Sequence, residues 1–137
     1  MVEKYYLDTS IWVDYYEDRK DPSKDIGKYA YELLMNIMNS KKKIIVSWIL
    51  MKELERKYDY DQIRGMTVFF EKIIEIVELT DEEKEEAIDL SVRRGIPKGD
   101  VFHAVMARDN NAILVTRDKH FYRLRDICEV VRPEEII

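Results

Sequence analysis

Four acidic residues stand where a fold can gather them: Asp8, Glu53, Asp100 and Asp118, spaced 45, 47 and 18 residues apart. Asp8 directly follows the run Lys4-Tyr5-Tyr6-Leu7, and Asp118 follows Ile113-Leu114-Val115 by three residues. Asp100 opens an apolar segment, and Glu53 lies two turns into a helical segment behind Ile44-Ile45-Val46. Carboxylates crowded into one place repel strongly and cannot all stay ionised without compensation. Magnesium or manganese supplies it, because both are hard cations that take oxygen ligands. Such a centre is suited to hydrolysis, with divalent ions aligning a water and neutralising charge on the attacking and leaving oxygens.

Each acid also has an ordinary reading. Asp is a favoured helix N-cap, so Asp100 and Asp118 can serve only as caps. Glu53 can be a surface residue, with Glu55 a nearby competitor. Asp14 reads as structural or solvent-facing. Asp8 is the least ordinary, since a charge at the end of a buried strand needs a partner.

The elements that must position these residues follow from periodicity. Lys4–Leu7 predicts the first strand and Ile11–Glu17 a short helix, with a loop at Lys20–Ser23 around Pro22. Ile26, Ala30, Leu33, Leu34 and Ile37 recur at helical spacing. After a turn at Lys41–Lys43, Ile44–Val46 predicts the second strand, and Ser47 caps a helix over Trp48–Arg56. A helix from about Gln62 runs into Phe69, Phe70 and Ile73, and a third strand is expected over Glu75–Leu79. Thr80 followed by Glu83 is a capping box for a helix that stops at Gly95, ahead of Pro97. The helix opened by Asp100 carries Val101, Phe102, Ala104, Val105, Met106 and Ala107, so it should be largely buried. Ala112–Val115 predicts a parallel-type strand, Asp118 starts a short helix through Leu124, and Val130-Val131 ends the sheet. Short strands alternating with helices point to an α/β domain with a mainly parallel sheet. Ligands of such sheets bind beyond the carboxyl ends of the strands, the edge where Asp8 and Asp118 fall.

The 137 residues suit one domain, taken as 1–137, and 46% of them are apolar, enough for a core. No apolar run reaches the ~20 residues of a membrane span, and no signal peptide is evident, so a cytoplasmic location with no membrane partner is expected. The lone Cys128 fits a reducing compartment. A charged fraction of 37%, rich in Lys and Glu, is similar to that of proteins from heat-loving organisms. The net charge of −5 argues against a purely electrostatic nucleic-acid binder, although bound divalent ions would reverse the sign locally.

Four segments in order resemble the PIN domain, and within it the VapC-type toxins of toxin–antitoxin pairs. They are Tyr6-Leu7-Asp8-Thr9-Ser10, Val46-Ser47 through Glu53-Leu54, Gly99-Asp100-Val101-Phe102-His103-Ala104, and Leu114-Val115-Thr116-Arg117-Asp118-Lys119-His120-Phe121. The last is the most specific, and together they span nearly the whole chain. The resemblance implies a Rossmann-like sheet of order 3-2-1-4-5 flanked by helices. It implies hydrolysis of RNA with Mg²⁺ or Mn²⁺, and a cognate antitoxin that blocks the site. Asp8, Glu53, Asp100 and Asp118 match the family's acidic positions, as catalytic residues and metal ligands. Thr116 matches the hydroxyl residue beside the last acid, and Ser10 and Thr116 are candidates to fix carboxylate rotamers.

Arg117, Lys119 and Lys98, with Arg108 further off, lie near two of the acids in sequence and are candidates for RNA phosphate contacts, against an equally good solvated-face reading. His103 and His120 read as packing or surface residues. Two relatives of the same reading stay open, an RNA-processing nuclease without an antitoxin and a silent protein-binding module. A phosphotransferase with Asp8 as nucleophile is disfavoured, because it wants a second Asp where Ser10 stands. Of 15 aromatic residues 9 are Tyr. Tyr29, Tyr31 and Met35 widen the apolar surface of the 26–38 helix beyond one stripe, which predicts a homodimer through that helix.

Overall fold

The computed structural model describes residues 2–19 and 24–137. The loop expected at Lys20–Ser23 lies outside the described residues. Five strands, β1 (Lys4–Leu7), β2 (Lys43–Ser47), β3 (Ile74–Val77), β4 (Ala112–Val115) and β5 (Val130–Val131), form one sheet in the order β3-β2-β1-β4-β5. All four pairings are parallel, with Tyr5 opposite Ile44 on one side and Ile113 on the other. This is the expected 3-2-1-4-5 order. Parallel strands need helical crossovers, which cover both faces and bury the strands on both sides. The two cores show this directly, because alternate residues of each strand go to opposite faces. Tyr5, Leu7, Ile44, Val46 and Val115 pack with α1 (Thr9–Glu17), α2 (Ile26–Asn39), α3 (Trp48–Glu55) and α4 (Tyr60–Thr67). Tyr6, Ile45 and Leu114 pack with α5 (Asp81–Arg94) and α6 (Lys98–Asp109).

Several boundaries move from their sequence positions for local reasons. The first helix opens at Thr9, two residues early, because Asp8 already has an N-cap backbone and its carbonyl accepts from the Ile11 amide at 2.9 Å. The helix expected from Gln62 to Ile73 is divided: a capping box between Asp59 and Gln62 starts α4, and Val68–Ile73 tightens into a 3-10 segment. β3 ends at Val77, where it pairs with Ser47, since Ser47 is the last residue β2 offers before α3 begins. α5 is stopped by Gly95, whose φ of 65° lies in the left-handed region that favours glycine.

Tyr29 and Tyr31, the basis for an interface on α2, have partners within the chain. The Arg117 guanidinium lies 5.7 Å from the Tyr29 ring centre, and Tyr31 stacks on Tyr15 while remaining half exposed. Among the described residues, no helix is long and apolar enough to cross a membrane.

Candidate active site

Asp8 leaves β1 at its carboxyl end, where its amide still donates to the Val115 carbonyl of β4 at 3.0 Å. It occupies the N-cap of α1, yet its side chain makes no capping bond. The carboxyl is buried, and Ser10 Oγ and Thr116 Oγ1 both donate to its Oδ2 at 2.9 Å. Thr116 Oγ1 in turn accepts from the Asp118 amide at 3.0 Å. One hydroxyl therefore ties the first acid to the turn that carries the last. Burial pushes the Asp8 carboxyl above its usual range, against the hydroxyl donors Thr116 and Ser10, with Glu53 adding to the rise.

Asp100 is not a cap. α6 opens at Lys98 with Pro97 in the N-cap position, so Asp100 is the third helical residue. Pro97, with φ −53° and ψ 138°, holds the non-helical N-cap position, so Lys98 is the first helical residue. Burial raises the Asp100 carboxyl, and Asp118, Asp8 and Glu53 each raise it further. The four acids thus share one electrostatic neighbourhood, fed by β1, α3, α6 and the turn after β4. Asp118 is also a cap: its Oδ1 accepts from the His120 amide at 2.9 Å and lies 3.0 Å from His120 Nδ1. Glu55, the competitor of Glu53, is exposed and lines an apolar cavity of about 470 Å³ between α3, α4 and β3, away from the acids.

Among the described residues, no three His, Cys, Asp or Glu side chains are grouped closely enough to hold an ion by themselves. The donors are all carboxylate oxygens, and Asp8 and Asp100 are both disfavoured in their charged forms. Mg²⁺ keeps several waters and commonly takes only one or two carboxylates directly, so a loose, all-oxygen set with unbalanced negative charge fits it.

The basic candidates separate. Lys98 and Lys119 are exposed, next to Asp100 and Asp118 in sequence. Arg117 points elsewhere: its side chain is largely buried, with Nη1 3.0 Å from Glu134, Nε 3.6 Å from Asp14, and Tyr29 beneath it. Arg108 is engaged with Glu86 and Asp109. Asp14 is buried, and burial raises its carboxyl to about 6 despite Arg117 and Arg19. The acid's pKa is higher in the folded state than its ordinary 3.8, so folding favours the protonated form. Ionised Asp14 costs stability above about pH 6, and the cost fades as pH falls toward 3.8. From about pH 7.5 to about pH 4.5, the Tm of wild type should therefore rise relative to Asp14→Asn, on the order of 5 °C. A gap that stays constant or moves the other way in thermal melts contradicts this.

Read from the sequence, Tyr6 is a strand residue, Ser47 a helix cap and His103 a packing or surface residue, and none of the three has a place in the site. His103 is buried in α6 and joins three elements: its Nδ1 lies 2.5 Å from Tyr6 Oη, its Nε2 is hydrogen-bonded to Glu53 Oε1, and Tyr6 Oη lies 2.6 Å from Ser47 Oγ. The available signal was a titratable residue amid the buried run Val101–Ala107, since buried polar groups need partners.

Comparison with known families decides what this arrangement belongs to. The PIN domain matches residues 5–127, from β1 past the last acid. The chain belongs to the PIN domain family. Among curated proteins, none matches this sequence. Solved structures share the fold at low identity. A chain of the VapBC2 complex from Rickettsia felis, bound to a promoter DNA fragment, has a TM-score of 0.70 at 21% identity, covering 94% of this chain and 98% of that one. A toxin–antitoxin complex from Klebsiella pneumoniae has a TM-score of 0.65 at 18% identity, covering 94% and 97%. VapBC-1 from nontypeable Haemophilus influenzae has a TM-score of 0.66 at 16% identity, covering 96% and 98%. This chain thus covers 97–98% of each of those three chains.

Proposed function

We propose that this PIN domain is an endoribonuclease dependent on Mg²⁺ or Mn²⁺, and the toxin of a toxin–antitoxin pair. The observation that supports the reading is the meeting of four acids from separate elements: the Asp100 carboxyl is raised first by its burial and then by Asp118, Asp8 and Glu53. A stable fold has little reason to assemble such repulsion unless a cation relieves it.

Asp8, Asp100 and Asp118 would hold the metal, with Glu53 binding it or orienting water. Bound divalent ions supply charge neutralisation at the phosphodiester and lower the pKa of an attacking water. The chain's own residues prepare for this. Ser10 and Thr116 fix Asp8 through Oδ2, leaving Oδ1 free of both hydroxyls. The Thr116 contact to the Asp118 amide holds the last turn against the first strand. Lys98 and Lys119, both exposed, would meet RNA phosphates, which position a strand without reading its sequence. Arg117, occupied by Asp14 and Glu134, is left with an anchoring role.

The antitoxin partner rests on the structural likeness to complexes described as VapBC and toxin–antitoxin assemblies. A small protein that co-purifies on co-expression and suppresses cleavage is the expected counterpart. A homodimer remains part of the reading, and sedimentation as a monomer at micromolar concentration contradicts it. End-labelled single-stranded RNA should be cut in Mg²⁺ or Mn²⁺ and left intact in EDTA, with activity returning on metal addition. Undiminished cleavage in EDTA overturns the metal-dependent reading.

A further inference from the structure

The contact between His103 and Glu53 has a direction that its neighbours fix. Ser47 Oγ accepts from the Leu50 amide at 3.1 Å as the N-cap of α3, so its own proton remains available. Tyr6 Oη sits between Ser47 Oγ at 2.6 Å and His103 Nδ1 at 2.5 Å. A tyrosine hydroxyl keeps its proton at neutral pH, so Tyr6 brings one proton to these two contacts. The ring's other nitrogen, Nε2, meets a Glu53 oxygen, and an ionised carboxylate only accepts. In a neutral ring a proton on Nδ1 would leave the Nε2 lone pair facing the carboxylate, and in a doubly protonated ring Tyr6 would have to donate to Ser47, leaving the Ser47 proton without an acceptor among these contacts. The arrangement that satisfies every atom runs one way: Leu50 N–H to Ser47, Ser47 O–H to Tyr6, Tyr6 O–H to Nδ1, and Nε2–H to Glu53.

We propose that His103 is a positioning residue for the acid site, its ring oriented by Tyr6 and Ser47 so that Nε2–H holds one oxygen of Glu53 and leaves the other to the site. The proposal rests on the metal-dependent reading above for its consequence, though not for its geometry. The placement in the chain supports it. Tyr6 precedes Asp8 by two residues on β1, Ser47 caps the helix that carries Glu53, and His103 follows Asp100 by three residues on α6. The relay therefore cross-links the elements that deliver three of the four acids. Ser47, Tyr6 and His103 are all buried, whereas the Glu53 side chain is 29% exposed, so a rigid interior holds a group that reaches out of it. Partners that orient ligating groups typically contribute 10- to 100-fold in metal affinity or activity.

The test uses the full chain and Mn²⁺. In metal-free wild type, ¹⁵N NMR of the His103 ring should show the proton on Nε2, and Tyr6→Phe should let both ring tautomers appear. Mn²⁺ titrated calorimetrically should bind His103→Leu roughly 10-fold more weakly than wild type. His103→Gln, which keeps a side-chain N–H for Glu53, should recover most of the loss; a purely structural histidine predicts no such rescue. A proton on Nδ1 in wild type overturns the proposal, as does wild-type Mn²⁺ affinity in folded His103→Leu. If His103→Leu does not fold, the ring tautomer and the affinity of His103→Gln decide, and a Gln variant as weak as roughly 10-fold below wild type counts against the proposal. Wild type that binds no Mn²⁺ overturns the nuclease reading instead, so the two failures are distinct.

Discussion

Asp8→Asn should abolish RNA cleavage and at the same time raise the melting temperature in EDTA. The two effects have one cause. Asp8 is the acid most deeply placed between β1 and β4, and its charged form is disfavoured by burial and by Glu53. Asparagine keeps the shape, and its carbonyl oxygen can still accept from Ser10 and Thr116, but it carries no charge to hold a cation. Metal ions in such sites contribute several kcal/mol to the transition state. At ~1.4 kcal/mol per tenfold, the loss should be roughly 1000-fold or more in kcat/KM. Without metal, the wild-type chain must keep a buried carboxylate next to other acids, and the variant does not. A gain of roughly 2–5 °C in Tm follows. The checks are initial rates on a fluorescent single-stranded RNA and thermal melts in EDTA. Asp8→Asn that keeps a tenth of the activity, or melts lower than wild type in EDTA, contradicts the account.

Gly27→Ala should destabilise the fold more than a change of one methyl group ordinarily would. Gly27 lies in the first turn of α2, and its amide donates to the Arg19 carbonyl at 2.7 Å. The chain leaves α1 through Asp18, whose φ of 49° turns it back under α2. A Cβ at Gly27 would fall 2.7 Å from both Asp18 C and Cα and 2.8 Å from Arg19 N. Those are backbone atoms, so no rotamer change relieves the clash, and α1 must part from α2. Forced overpacking costs roughly 1–3 kcal/mol and occasionally more. The upper end is expected here, a fall of roughly 10 °C in Tm. Because the site lies at the other end of α1, cleavage per folded molecule at low temperature should be kept. An unchanged Tm in Gly27→Ala shows that the α1–α2 contact gives way easily.

These residues also show what the sequence could and could not say. The mainly parallel sheet was legible, because apolar strands alternating with amphipathic helices imply crossover connections, whereas its 3-2-1-4-5 order was legible only through the resemblance to the PIN domain. The position of Asp8 was legible for the same reason, since an acid at the end of a buried central strand has few uses. The start of α6 was misplaced by two residues because both Lys98 and Asp100 are acceptable at a helix entrance, and the choice belongs to Pro97. Arg117 was illegible: consecutive residues after β4 diverge, Thr116 toward Asp8 and Arg117 toward Asp14 and Glu134. Sequence adjacency to Asp118 says nothing about that. Gly27 and the Tyr6–His103 contact were hidden for a deeper reason. Both are close approaches between elements that local propensity does not couple, and in the second case the partners are 97 residues apart.

The central claim is that Asp8, Asp100, Asp118 and Glu53 form one cation site at the carboxyl edge of the sheet. Crystals soaked in Mn²⁺ and measured for manganese anomalous scattering test it without any assay of RNA. The account predicts an anomalous peak among the four carboxylates, within ligating distance of Asp8, and its loss in Asp8→Asn. A map with no peak there, or with manganese bound only at other acidic residues of the surface, contradicts it.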